Sequence, residues 1–140
     1  MTTLADKFTV KVRREIYSDF KTTFELNPIT GFLAKDTNEV SVKKAIRNII
    51  MTTNSERFQR SDIGSKVKAA LFEPVGPLTE ELIKTSIVEA ITNHEPRALL
   101  HQVDVTYETA LNSYNVTIYF GIVNIPNQSF DLNITLERVR

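Results

Sequence analysis

From residue 99 onward the chain alternates apolar and polar positions in three successive runs. Leu99, Val103, Val105 and Tyr107 oppose Gln102, Asp104, Thr106 and Glu108. Val116, Ile118, Phe120 and Ile122 oppose Asn115, Thr117, Tyr119 and Gly121. Phe130, Leu132, Ile134 and Leu136 oppose Asp131, Asn133, Thr135 and Glu137. A period of two places one set on each face of a strand, so each run predicts a half-buried strand. Asn112-Ser113 and Asn124–Asn127 supply turn chemistry between them. The three runs therefore predict an antiparallel meander with one buried face, which helices should cover.

Those helices are found upstream. In "NEVSVKKAIRNIIMTT", Val42, Ala45, Ile46, Ile49 and Ile50 share one face, with Lys43, Lys44 and Arg47 opposite. Asn38 or Ser41 stands where a cap belongs. A second, short helix is expected after Asp62, as its cap, with Ile63, Val67, Ala70 and Leu71 inward and Pro74, Gly76 and Pro77 ending it. A third reads from Thr79, as N-cap, with Glu80 and Glu81 in the first turn and Leu78 stapled to Ile83. Its buried stripe is Leu82, Ile83, Ile87, Ala90 and Ile91. Pro96 forces its end, because the residue before a proline is pushed out of the helical region. Nearer the start, Phe8, Val10 and Val12 alternate as a short strand or an extended arm within residues 1–20. Asn27-Pro28 and Gly31 mark turns, with a short strand expected around Gly31–Ala34. Helices first and a meander last make the fold class α+β, with amphipathic helices packed on one face of a C-terminal antiparallel β-meander, in a single domain of 140 residues.

The joint between the last helix and the first long strand reads "NHEPR". Glu95 and Arg97 flank Pro96. Three readings are open: a proline helix stop with exposed charges, a lock between helix and sheet, or a docking device. In an extended segment residues two apart point to the same side. Arg97 would then present a planar fork suited to carboxylate or carbonyl groups. The last run, "FDLNITLERVR", contains no proline. Were it an edge strand, its unpaired backbone could accept a strand from another chain, unless Arg138 and Arg140 act as gatekeepers.

Composition narrows the chemistry. Seventeen basic residues balance seventeen acidic ones, so no bulk field would hold a nucleic acid or an anionic membrane. There is no cysteine, which removes disulfides and thiolate metal sites. Two histidines, His94 and His101, are thin material for a metal site or a nucleophilic triad. Four scattered glycines form no phosphate loop. No stretch has the length of a signal core or a membrane span, so a soluble, cytosolically made protein without a cofactor is expected. Glycoside hydrolysis needs only two carboxylates in unlike settings, and Glu95 with Asp104 would be the pair. No tryptophan or aromatic cluster lines a sugar groove beside them.

Taken in order, four segments resemble the baseplate wedge proteins of T4-like contractile phages, a small family also called sheath initiators, with a relative in the type VI secretion baseplate. These are "NEVSVKKAIRNIIMTT"; "SERFQRSDIGSKVKAALFEP", with Glu56-Arg57 and Leu71-Phe72-Glu73-Pro74; the helix ending in Ile91-Thr92-Asn93-His94-Glu95-Pro96-Arg97; and the meander. They cover about residues 28–138. Ser55 stands where the family's loop has glycine. The resemblance implies a structural, non-enzymatic virion protein, assembled in the host cytoplasm into a sixfold tail baseplate near the tail tube. It implies that Glu95, Pro96 and Arg97 dock onto other wedge proteins. It also implies that the strand carrying Phe130, Leu132, Ile134 and Leu136 templates the first ring of tail sheath by strand addition. Members have carried a lysozyme label, so the alternative it implies is a peptidoglycan-cleaving tail enzyme.

Overall fold

The computed structural model describes residues 15–138. The expected strand at Phe8, Val10 and Val12 lies outside them, as does Arg140. The chain divides into two compact units, Met1–Asn38 and Glu39–Arg140.

In the first unit, β1 (Ser18–Phe20) pairs antiparallel with β2 (Lys35–Thr37), and Leu26 bridges Leu33. Asn27 makes the turn between them. Its Oδ1 accepts the N–H of Ile29 at 2.9 Å, and its backbone carbonyl accepts the N–H of Gly31. Gly31 sits at φ +69, where a side chain is strained. The turn chemistry at Asn27-Pro28 and Gly31 thus acts as expected, and the strand falls just after Gly31–Ala34. Asn38 Oδ1 accepts the N–H groups of Ile16 and Tyr17.

The second unit holds α1 (Glu39–Met51), α2 (Val67–Ala70), α3 (Pro77–His94), β3 (Ala98–Glu108), β4 (Ser113–Ile122) and β5 (Ile125–Glu137). The strands form an antiparallel meander in the order β3-β4-β5, as the alternation predicts. Register brings the inward residues into rungs: Val103, Ile118 and Leu132; Val105, Val116 and Ile134; Tyr107, Tyr114 and Leu136; Leu100, Phe120 and Phe130. Helix α3 packs on β3 and α1 reaches β5. Val42, Ile46, Ile49 and Ile50 of α1 and Ile83, Ile87, Ala90 and Ile91 of α3 are buried with this face. Each of these valine and isoleucine side chains contributes roughly 1.5–3 kcal/mol by leaving water.

Four details differ from the sequence reading. Leu99 is 54 % exposed, not buried. One extra residue, His101, breaks the register between Leu100 and Gln102, and a single-residue bulge reverses which side chains face inward. His101 lies over Gly121, where an added Cβ would meet its imidazole at 3.1 Å. Helix α3 starts at Pro77, two residues before Thr79, because proline's fixed φ and missing N–H suit a first helical position. Thr79 is therefore inside the first turn, and its hydroxyl donates to the Pro74 carbonyl at 2.5 Å. Leu78 and Leu82 turn outward, 75 % and 45 % exposed, so no staple forms. Asp62 does not cap α2. It pairs with Arg60 at 3.3 Å, while Lys66 precedes the helix without a side-chain cap.

The loop between α1 and α2 is held by backbone geometry. Ser55 sits at φ +72, the left-handed region that suits glycine. The Thr53 N–H, bonded at 2.9 Å, and the Lys68 ammonium hold the Glu56 carboxyl below its ordinary pKa. Gly64, at φ +143, passes so close to Thr52 and Thr53 that a Cβ would meet backbone at 2.8 Å.

Candidate functional site

The first candidate is the joint between α3 and β3. Helix α3 ends at His94, and the N–H of Glu95 closes its last turn on the Ile91 carbonyl. Pro96 ends the helix, as expected. The chain does not run out extended, however: the Ala98 N–H bonds the Glu95 carbonyl at 3.1 Å, closing a turn with Pro96 at its first corner. This turn, rather than an extended segment, brings Glu95 and Arg97 together. Arg97 Nε and Nη2 donate to the two Glu95 carboxylate oxygens at 2.6 and 3.0 Å. This is a bidentate, charge-assisted pair. Arg97 Nη1 reaches Ser41 Oγ at 3.4 Å, in the first turn of α1. The Arg97 carbonyl accepts the N–H of Val123 from the β4–β5 turn.

Burial is uneven across the motif. Glu95's side chain is 5 % exposed and Arg97's 26 %, while Pro96 is exposed. The carboxylate thus faces inward and holds the guanidinium. What the motif shows to the outside is the proline ring and the quarter of the Arg97 side chain that stays accessible. Ser41, fully buried, is a partner that the sequence reading did not find. A serine on the apolar face of α1 was the signal, since a buried hydroxyl needs a hydrogen-bond partner.

The second candidate is β5. It pairs with β4 and with no other strand among the described residues, so its far side is a sheet edge. Near the turn that edge is blunted. Three extra residues, Pro126, Asn127 and Gln128, interrupt the register between Ile122↔Ile125 and Gly121↔Ser129. From Ser129 to Glu137 the register is unbroken and contains no proline. Phe130, Ile134 and Leu136 are buried and Leu132 half-buried, all on the protein's own core face. What β5 offers to a neighbour is therefore backbone, with Asp131, Asn133, Thr135 and Glu137 exposed beside it. Arg138 is engaged at the strand's end: its guanidinium donates to the carbonyls of Leu71 at 3.1 Å and Glu73 at 3.0 Å.

The carboxylate pair required for glycoside hydrolysis is poorly served. Both oxygens of the buried Glu95 are taken by Arg97, and Asp104, on the outer face of the sheet, accepts from Gln102 Nε2 at 2.7 Å. Among the described residues no group of three or more histidine, aspartate or glutamate side chains is placed to hold a metal ion. No helix among the described residues is long and apolar enough to cross a membrane.

Residues 36–126 match the family model described as baseplate wedge protein gp25. The baseplate wedge protein gp25 of Enterobacteria phage T4 is 26% identical over 98 residues, which span 69% of this chain and 73% of that protein. Among solved structures, a Geobacter sulfurreducens protein described as a tail lysozyme superposes with a TM-score of 0.69 at 25% identity, covering 75% of this chain and 95% of that one. A chain of the sixfold-symmetrised anti-feeding prophage baseplate shares the fold, with a TM-score of 0.59 at 20% identity over 89% of this chain and 87% of that one.

Proposed function

Since the chain belongs to the baseplate wedge protein gp25 family, we propose that it docks onto other wedge proteins of a contractile tail through the Glu95-Pro96-Arg97 turn and offers β5 as the template for the first sheath ring. The observation that carries this reading is the edge of β5, in unbroken register with β4 from Ser129 to Glu137 and paired with no second strand among the described residues. A row of unpaired N–H and C=O groups is a liability in a free protein and an asset in one built to accept a strand.

The two parts have separate mechanics. At the turn, Glu95 acts through Arg97: it fixes the guanidinium's plane, so that the exposed Pro96 ring and the accessible part of the Arg97 side chain form a rigid corner. Rigidity lowers the ordering cost of docking. At the edge, an incoming sheath segment pairs backbone to backbone with β5, and the alternation of side chains sets its register. One copy per wedge under sixfold symmetry places six such edges around the tail tube at one height. Neither step calls for a cofactor.

The test separates the parts. Baseplates carrying Asn133→Lys with Thr135→Lys, two lysines on the exposed side of the edge, should assemble and fail to nucleate sheath. Sheaths of normal length on such baseplates would refute the template. Arg97→Lys keeps the charge and loses the fork. It should reduce co-purification with wedge proteins, and unchanged recovery would refute docking through this turn. The paired-carboxylate reading makes the opposite demand: peptidoglycan cleavage by purified protein that vanishes in Glu95→Gln.

A further inference from the structure

The free side of β5 does not open directly into solvent along its whole length. Beside Leu136 it runs into an apolar groove of about 400 Å³ between the end of α1, the α2 segment and the strand. Its apolar wall consists of Ile50, Met51, Val67, Leu71, Phe72 and Leu136. From the sheet, Thr135, Leu136 and Glu137 of β5 line it, and no residue of β4 does. Met51 is 44 % and Phe72 68 % exposed, whereas Ile50, Val67, Leu71 and Leu136 are buried. The bonds from Arg138 to the Leu71 and Glu73 carbonyls tie the end of β5 to the α2 segment. A partly covered apolar slot thus lies between the end of β5, the end of α1 and the α2 segment.

We infer that this groove is the specificity pocket of the β5 edge: the strand that adds to β5 carries a large apolar side chain opposite Leu136 and seats it between Met51, Phe72 and Leu71. The inference rests on the strand-addition reading and deepens it by stating the chemistry of the occupant. Two observations commit the occupant to an extended segment with an apolar anchor. The edge offers backbone groups that only a strand can pair with in series. The side chains of that strand then alternate, and those on the core-facing side point at the groove. Backbone pairing gives affinity without selectivity; one filled pocket per strand supplies register and choice of partner.

The probe is a synthetic peptide of about ten residues alternating threonine and valine, in which one valine position carries Phe, Leu, Asp or Gly, with binding followed by fluorescence anisotropy. The Phe and Leu peptides are expected to bind at least about tenfold tighter than the Asp and Gly peptides. That preference should disappear in Met51→Glu and in Phe72→Asp, both at exposed positions and both expected to melt like the parent. A backbone N-methylated Phe peptide tests the underlying reading separately. If N-methylation abolishes binding while the anchor residue makes no difference, strand addition stands and the pocket is refuted. If N-methylation has no effect, strand addition and the pocket fall together. Equal preference in the two groove variants, or no binding of any peptide, overturns the inference. So does a wild-type dimer that Phe72→Asp dissolves, because a second copy would then be the occupant.

Discussion

The Glu95–Arg97 turn and the β5 edge lie in the same unit and handle their polar groups in opposite ways. The turn is closed on itself. Its carboxylate is buried, both oxygens are bonded to the neighbouring guanidinium, and the guanidinium reaches a buried serine. The edge is open: from Ser129 to Glu137 one side of the backbone is paired to β4 and the other faces no strand among the described residues. A closed polar group fixes geometry and stability, whereas an open one keeps its hydrogen bonds for assembly. The two regions should therefore respond differently to substitution: the turn in folding as well as in docking, the edge chiefly in assembly.

The largest expected effect is on the turn. Arg97→Ala leaves the Glu95 carboxylate buried without its partner and should lower the unfolding free energy by about 3 kcal/mol in chemical denaturation. Glu95→Ala leaves a guanidinium that can turn to water, so the loss should be about 1–2 kcal/mol. Equal losses for the two would show that burial does not divide the pair as the structure indicates. A smaller effect of opposite sign is expected in the loop after α1. Ser55→Gly relieves a left-handed backbone and should stabilise by about 0.5–1 kcal/mol, seen as a higher melting temperature. Effects no larger belong to the sheet margins. Asn133→Lys with Thr135→Lys gives up two exposed cross-strand hydrogen bonds, to Thr117 and Asn115, and should cost about 0.5–1 kcal/mol; Leu99→Ser should change stability by less than about 0.5 kcal/mol. A marked loss for Leu99→Ser would place that residue back in the core and contradict the bulge at His101.

How much of this was legible in the sequence depends on the kind of signal. The meander was legible because a period of two is set by the pleat itself, and the rungs from Val103 to Ile134 follow it. The inversion at Leu99 was not, because a bulge adds a residue without altering the composition of the run. The start of α3 was misplaced because Gly76-Pro77 reads equally as the end of one element and the beginning of the next. At the joint, the sequence supplied Glu95 and Arg97 as neighbours across Pro96. It did not supply the turn that makes them face each other, since that rests on the Ala98 N–H bonding back to Glu95 and on Ser41 arriving from another helix. The edge status of β5 depends on strand order, which alternation does not encode. The groove beside it depends on Met51 and Phe72, residues from segments with no periodic relation to the strand.

A C-terminal truncation after Asn127 would be a poor test of templating, because Phe130, Ile134 and Leu136 are part of the core and their loss would unfold the unit. The exposure of Thr135 allows a cleaner one. A photo-crosslinking amino acid placed at position 135 and activated in assembled tails reports which chain lies beside β5. The account predicts a covalent adduct with the sheath subunit, lost in baseplates that have not yet recruited sheath. An adduct formed solely with another wedge protein, and unchanged before and after sheath assembly, would contradict it.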